Sequence, residues 1–136
     1  MEDKILQRRD GPIAHIIFNQ PKKRNAVSLD MWKTVSNALE KLKKDKTVRV
    51  LILSGAGGKA FVSGADISKF GSERSSKQAV IKYNEMTKKV YDGVANFPKP
   101  TIAQIDGFCI GGGVGLAASC DIRYCAISSQ FAIPAA

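Results

Sequence analysis

Apolar residues recur at intervals of three and four in two segments of the chain, residues 29–42 and 83–97. This spacing places them along one side of an α-helix, so both segments are predicted to be amphipathic helices. Ser28 is a suitable N-cap for the first helix, and Asp30 adds a favourable charge to its first turn. Pro98 predicts the end of the second helix.

A hairpin is predicted at the start of the chain. Residues 5–8 and 13–19 flank Asp10-Gly11, a dipeptide that favours a tight turn between two antiparallel strands. Pro12 follows at once and suggests either a wider turn or a position at the edge of a sheet. The single histidine, His15, falls in the second strand and is interpreted as a structural residue.

Short apolar runs rich in β-branched residues predict further strands at residues 48–53, 101–105 and 122–127. The first of these is predicted to be buried on both faces, and residues 61–67 form another strand-to-turn segment. Strands and helices alternate, and several strands lead into glycines. This order predicts an α/β fold whose ligands bind near the ends of the strands.

The most distinctive stretch is residues 107–121, which contains three consecutive glycines at positions 111–113. The small and apolar residues that follow are predicted to continue as a buried helix. A glycine turn that opens a helix leaves backbone N–H groups unpaired at the positive end of the helix dipole. Such groups suit an anion, or an oxygen that becomes negative during a reaction. Close packing of a helix on a strand explains the glycines equally well, and spacing alone does not choose.

Length and composition predict one globular domain. The chain has 136 residues, of which 44% are hydrophobic and 24% are charged. Its net charge of +9 suits nucleic acid, an anionic membrane surface or a phosphate-bearing small molecule. Aromatic residues make up only 7% and are not interleaved with the basic ones, which weakens the single-stranded nucleic-acid interpretation.

The sequence predicts a cytoplasmic protein without a membrane anchor. No apolar run approaches the roughly 20 residues of a membrane span, and no apolar segment follows the acidic N-terminus as in a signal peptide. Cys109, Cys120 and Cys125 form no C-x-x-C pair and are accompanied by one histidine, so no metal site is expected. An odd number of cysteines without a secretion signal is typical of reduced thiols, which we interpret as core residues.

Five segments that follow one another along the chain carry a resemblance to a known family: residues 19–26, 48–55, 61–66, 98–103 and 111–121. In these segments the chain resembles the enoyl-CoA hydratase/isomerase (crotonase) family. The resemblance implies an α/β fold, a spiral of repeated strand-strand-helix units, with residues 1–136 forming an acyl-CoA-binding core. It also implies that the chain is the N-terminal part of the family domain, truncated before the C-terminal helices, and that the full-length protein is a homotrimer or hexamer.

The resemblance further implies a substrate and a site. Family enzymes hold the thioester carbonyl of an acyl-CoA with two backbone N–H groups, and the matching positions are Ala65 and Gly112. These groups form an oxyanion hole for an enolate, and coenzyme A is part of the substrate rather than a separate cofactor. The positions implied to contact the acyl-CoA are Lys23, Arg24, Ala26, Ala65, Asp66, Ile67, Ser68 and Gly112. Lys22 and Lys59 are further candidates for the CoA phosphates.

Two positions depart from the family pattern. Family hydratases use two glutamates as acid and base. The first lies two residues after the glycine triplet, and the second follows the proline of a Phe-x-x-Pro motif. Gly115 and Ala135 occupy these positions, and neither side chain can carry a proton. The candidates for a replacement acid or base are Asp66 and Glu73, followed by Tyr83 and Glu85.

These observations leave three functions open. The first is an enzyme of acyl-CoA metabolism, a lyase or isomerase that acts through a thioester enolate. The second is a non-catalytic homologue that binds acyl-CoA, which Gly115 and Ala135 favour. The third is RNA binding, which a crotonase relative combines with hydratase activity through a lysine-rich helix. The lysines that motivate the third function are Lys33, Lys41 and Lys44.

Overall fold

The computed structural model of the protein describes residues 3–66 and 77–134. It begins with an antiparallel hairpin of β1 (Ile5–Asp10) and β2 (Ile13–Phe18), in which Asp10 pairs with Ile13. The turn therefore contains two residues, so the predicted tight hairpin is confirmed, and of the two alternatives that Pro12 suggested the wider turn is wrong. Gly11 has a φ of +59°, which glycine adopts without strain and which a tight hairpin turn requires.

The hairpin is part of a five-stranded sheet in the order β1-β2-β3-β5-β7. The strands β3 (Val50–Gly55), β5 (Thr101–Ile105) and β7 (Ile122–Cys125) run parallel to β2 and to one another. Leu51 and Leu53 of the central β3 are fully buried, and the residue between them is half-buried. The predicted strands are confirmed, although the ends of β1, β3 and β7 differ from the prediction by two residues.

A second, three-stranded parallel sheet has the order β4 (Ala60–Val62), β6 (Phe108–Ile110) and β8 (Gln130–Ala132). From β3 onward, consecutive strands alternate between the two sheets, which produces the predicted spiral. The sequence did not predict β6 and β8 as strands, because three residues are too few to establish an alternating pattern.

Helices connect the turns of the spiral. The first, α1 (Leu29–Lys44), follows β2; α2 (Lys77–Ala95) precedes β5; and α3 (Gly112–Ser119) follows β6. Ser28 caps α1 as predicted, since its hydroxyl accepts a hydrogen bond from the backbone N–H of Met31 at 3.3 Å. Both predicted amphipathic helices are confirmed, and the third helix begins within the glycine triplet.

Aromatic rings join both sheets and two helices into one core. Phe18 of β2 makes edge contacts with Trp32 of α1 and Phe61 of β4, at centroid distances of 5.9 and 6.3 Å. Trp32 makes another edge contact with Tyr91 of α2, at 6.1 Å. The helices α1 and α2 therefore share one core with β2 and β4.

The three thiols occupy two environments. Cys109 and Cys120 are buried as predicted, and burial raises the pKa of each thiol to about 11. Cys125 is exposed, so the interpretation of the cysteines as core residues is wrong for this one. It is the last residue of β7, which forms an edge of the five-stranded sheet and is exposed along its whole length.

His15 is a structural residue, as predicted. Its side chain is 10% exposed, and Nε2 lies 3.1 Å from the Asp10 carboxylate and 3.3 Å from a guanidinium nitrogen of Arg8. Within residues 3–66 and 77–134, no group of three His, Cys, Asp or Glu side chains could hold a metal ion. No helix in these two ranges is both long and apolar enough to cross a membrane.

Candidate functional site

The candidate site lies where two paired strands end. Strands β4 and β6 run parallel, with Ala60 beside Phe108 and Val62 beside Cys109. The chain continues from β4 to Ala65 and from β6 to Gly112. Since parallel strands end on the same side of a sheet, the structure brings these two predicted positions to one edge.

The N–H group of Ala65 is turned away from Val27, the residue that lies beside it in the sheet-like pairing. Ala65 forms an isolated parallel bridge with Val27. The N–H of Val27 donates to the carbonyl oxygen of Gly64 at 2.8 Å, and its carbonyl oxygen accepts from the N–H of Asp66 at 3.1 Å. In such a bridge the residue between the two bonded peptides directs its own N–H to the opposite side. Within the described ranges, no backbone oxygen accepts from this N–H.

The N–H group of Gly112 lies at the start of a helix. Gly111 precedes α3 with a φ of +55°, and its carbonyl oxygen accepts from the N–H groups of Val114 and Gly115 at 3.0 and 3.3 Å. Gly112 is the first residue of α3, so its N–H has no acceptor inside the helix. The positive end of the helix dipole adds to the attraction for a negative oxygen.

Close packing accounts for another glycine of the triplet. A Cβ atom at Gly113 would collide with the backbone carbonyl of Val62 in β4. Gly113 brings the helix against the strand, which confirms the close-packing interpretation at this residue. Gly112 opens the helix, and binding of a negative oxygen there stays a prediction.

An open cleft of about 530 Å³ lies beside Ala65. Two segments, residues 22–26 and 63–66, supply its walls. The lining residues are Lys22, Lys23, Arg24, Ala26, Ser63, Ala65 and Asp66. All of these except Ser63 were predicted to contact the acyl-CoA, so six predicted residues are brought together. Lys59 and Gly112 are not among the lining residues. The guanidinium of Arg24 also lies over the ring of Phe108 in β6, 5.5 Å from its centroid.

The basic wall of the cleft depends on Asn25, a residue that the sequence analysis did not single out. Its side chain is fully buried. The side-chain oxygen accepts from the N–H of Gln20 at 2.8 Å, and the side-chain nitrogen donates to the carbonyl oxygens of Ala56 and Ala60 at 3.0 and 2.8 Å. Arg24 and Asn25 both have positive φ values, of 50° and 57°. Asn adopts a positive φ more readily than most residues with a side chain, so its presence in this loop was the sequence signal that could have indicated its role.

Asp66, a candidate acid or base, is engaged with the same basic loop. Its side chain is only 2% exposed, and Oδ2 lies 3.5 Å from Nζ of Lys23. The side-chain amide of Gln20 donates to this oxygen at 3.2 Å. These contacts join the segment that follows β4 to the basic wall of the cleft, and the role of Asp66 as an acid or base stays a prediction.

At Gly115, the position of the first family glutamate, the structure places a different side chain. The phenol of Tyr91 from α2 lies against Gly115, and its hydroxyl donates to the carbonyl oxygen of Gly112 at 3.0 Å. Burial, and to a smaller degree the neighbouring Tyr83, raises the pKa of Tyr91 to about 12. Sequence reasoning missed Tyr91, because it lies beside the apolar stripe of α2 and matches no motif.

Other predicted positions fall elsewhere. Glu73, Ile67, Ser68 and Ala135 lie outside the described residues. Tyr83 is buried, and its hydroxyl donates to the carbonyl oxygen of Val27 at 2.7 Å, whereas Glu85 is exposed on α2.

The lysines that motivated RNA binding are exposed on α1, and this function stays a prediction. They are Lys33, Lys41 and Lys44.

The chain is similar to one known family and to curated relatives over most of its length. The sequence profile of the enoyl-CoA hydratase/isomerase family matches residues 8–136. The mitochondrial Delta(3,5)-Delta(2,4)-dienoyl-CoA isomerase of Mus musculus is 36% identical over 134 residues, which cover 89% of this chain and 39% of the isomerase. The short-chain-enoyl-CoA hydratase of Clostridium acetobutylicum is 33% identical over 132 residues, which cover 97% of this chain and 50% of the hydratase.

Solved structures share the fold. An enoyl-CoA hydratase/carnithine racemase from Magnetospirillum magneticum has a TM-score of 0.92 and 41% identity, and the match covers 98% of this chain and 50% of that chain. An enoyl-CoA hydratase from Bacillus anthracis has a TM-score of 0.91 and 30% identity, with coverage of 96% and 50%. The chain thus spans about half the length of these relatives, and the predicted crotonase-like fold is confirmed. The chain belongs to the enoyl-CoA hydratase/isomerase family.

Proposed function

We propose that the protein binds an acyl-CoA thioester and stabilises its enolate with the backbone N–H groups of Ala65 and Gly112. The observation that supports the proposal is that Ala65 and Gly112 follow the ends of the paired parallel strands β4 and β6, at one edge of the sheet. Two fixed donors aimed at one carbonyl oxygen stabilise the negative charge that develops there, by about 3–4 kcal/mol for each donor in comparable sites.

The cleft beside Ala65 supports coenzyme A as the carrier of the acyl group. Lys22, Lys23 and Arg24 contribute three positive charges to one wall, which suits the negatively charged phosphates of CoA. The volume of about 530 Å³ falls in the range of roughly 300–1,000 Å³ typical of small-molecule pockets. The relatives named for enoyl-CoA and dienoyl-CoA substrates support the same chemical class.

The proposed activity is that of a lyase or isomerase that works through the thioester enolate. The proposed protein is cytoplasmic, and it is a homotrimer or hexamer when full length.

A second candidate function is binding of acyl-CoA without catalysis. The specific observation that favours this second candidate is the packing of Tyr91 against Gly115, which fills the place of the first family glutamate.

An absorbance titration with acetoacetyl-CoA tests the proposal, because the enolate of this ligand absorbs differently from the keto form. Binding with growth of the enolate band is the expected result. Binding without the band would favour the non-catalytic candidate, and a lack of binding would contradict the proposal.

A pair of variants at position 112 makes the test specific for the N–H group. Proline is tolerated at the first position of a helix, so Gly112→Pro removes the donor while preserving the helix start. Gly112→Ala adds a Cβ atom at the same place and keeps the donor. We expect the enolate fraction to fall about 100-fold in the proline variant relative to the alanine variant. Equal enolate fractions in the two variants would exclude Gly112 as a donor.

A further inference from the structure

Glycine at position 115 is a packing requirement of Tyr91. A Cβ atom added at Gly115 would lie 2.6 Å from both Cζ and the hydroxyl oxygen of Tyr91, and 2.7 Å from Cε2. These distances are far below ordinary van der Waals contact. Any side chain at 115, the family glutamate included, would therefore have to displace the tyrosine ring.

The hydroxyl of Tyr91 is bound to the turn that presents the Gly112 N–H. It donates to the carbonyl oxygen of Gly112 at 3.0 Å. This bond holds the peptide group between Gly112 and Gly113 in place and so restricts backbone rotation at Gly112. Because burial raises the pKa of Tyr91 to about 12, the hydroxyl stays protonated and donates throughout the neutral range.

A second tyrosine of the same helix acts on the other half of the candidate oxyanion hole. The hydroxyl of Tyr83 donates at 2.7 Å to the carbonyl oxygen of Val27, the bridge partner of Ala65. Trp32 connects the two tyrosines, since its Nε1 donates to the Tyr83 hydroxyl at 3.2 Å and its ring contacts Tyr91 edge-on. One face of α2 therefore holds both N–H-bearing segments.

We propose that Tyr91 and Tyr83 are positioning residues, which hold the N–H groups of Gly112 and Ala65 at a fixed separation. The inference rests on the proposed function and assigns the geometry of that site to α2. The tyrosines act through the backbone and hold no proton for the reaction. They determine how well the two N–H donors are aligned with one oxygen. The stabilisation of the enolate falls steeply when either donor is misplaced.

The test is the enolate fraction of acetoacetyl-CoA on protein saturated with this ligand, in Tyr91→Phe and Tyr83→Phe. Each variant keeps the ring and removes one hydroxyl. We expect the enolate fraction to fall about 5-fold in each, corresponding to the net loss of one hydrogen bond. Tyr124→Phe is the matched control, since Tyr124 is an exposed residue of β7. Removal of its hydroxyl should leave the enolate band unchanged.

Saturation separates positioning from stability. A purely structural role would lower the melting temperature of the variant but leave the enolate fraction of the folded, saturated protein at the wild-type value, which would overturn the inference. Gly115→Ala is a second variant, expected to lower the enolate fraction by displacing the Tyr91 ring while keeping its hydroxyl. A wild-type protein that yields no enolate contradicts the proposed function itself, and the inference falls with it.

Discussion

Asn25 illustrates how a single buried side chain shapes the cleft. It holds three backbone groups, from Gln20, Ala56 and Ala60, that belong to different parts of the chain. It also adopts a positive φ, which most residues with a side chain avoid. The neighbouring Arg24 and Lys23 owe their places in the cleft wall to this residue.

Asn25→Ala is expected to destabilise the protein by about 3 kcal/mol, because several buried backbone groups lose their partners. Urea unfolding measures the free energy of unfolding. Asn37→Ala is the matched control, since Asn37 is exposed on α1 and its replacement should change this free energy by less than about 0.5 kcal/mol. Equal stability of the two variants would contradict the role assigned to Asn25.

The thiols give a second prediction at the scale of single residues. Only the thiolate form of cysteine is nucleophilic, and burial raises the pKa values of Cys109 and Cys120 to about 11. At pH 8 the folded protein should react with one equivalent of a thiol reagent, at the exposed Cys125. Mass spectrometry of the labelled peptides checks the assignment, and Cys125→Ser should abolish the fast reaction. Rapid labelling of Cys109 in the folded state would contradict the described packing.

At the scale of elements, the contact between α3 and β4 decides the spacing of the candidate donors. Gly113 lets the helix backbone approach the carbonyl group of Val62, and no larger residue fits there. Gly112 is the first residue of α3, and Ala65 lies shortly after the end of β4 at Val62, so a change in the separation of these elements is transmitted to both N–H groups.

Gly113→Ala is therefore expected to cost about 2 kcal/mol of stability, although alanine usually favours helices over glycine. It should also reduce the enolate band of bound acetoacetyl-CoA. Gly93→Ala in α2 is the matched control, because the added Cβ would meet only a terminal methyl of Leu39, at 3.3 Å, which can shift. The control is expected to be neutral or stabilising by up to about 1 kcal/mol. A stabilising effect of Gly113→Ala in thermal unfolding would contradict the close packing.

At the scale of the whole molecule, apolar side chains are concentrated on the surface of the last two strands and their connection. Ile122, Tyr124, Ile127, Phe131 and Ile133 are each more than half exposed. Strands β7 and β8 are the edges of the two sheets, so both also present unpaired backbone groups. A surface of this kind is typical of an interface.

The 136-residue chain is expected to associate with itself as its concentration rises, because association removes this surface from water. Sedimentation velocity over a hundredfold range of concentration measures the effect. Replacing Ile127 and Phe131 with serine should shift the distribution toward the monomer, whereas Ile81→Ser, at an exposed position on α2, should not. A chain that stays monomeric at every concentration would contradict this prediction.

The RNA-binding hypothesis also belongs to the whole molecule, since it rests on the net charge of +9 and the exposed lysines of α1. Contacts to phosphates weaken as salt rises, because bound counterions are released. An affinity for RNA that stays constant as salt rises would exclude this function.

The sequence by itself determined what depends on neighbours along the chain. The apolar intervals of residues 29–42 and 83–97 specify amphipathic helices, and Ser28 specifies the start of the first. The ordered motifs identified the family, and the resemblance to this family implied Ala65 and Gly112 as the donor positions.

Only the tertiary structure decided what depends on residues distant along the chain. Tyr91 meets Gly115 from another helix, Asp66 meets Gln20 across 46 positions, and Cys125 is exposed because β7 forms an edge. The short strands β6 and β8 likewise take their identity from pairing with β4 and with each other. Local patterns contain no signal for such contacts, since the free energy that favours them is released only when separate segments pack together.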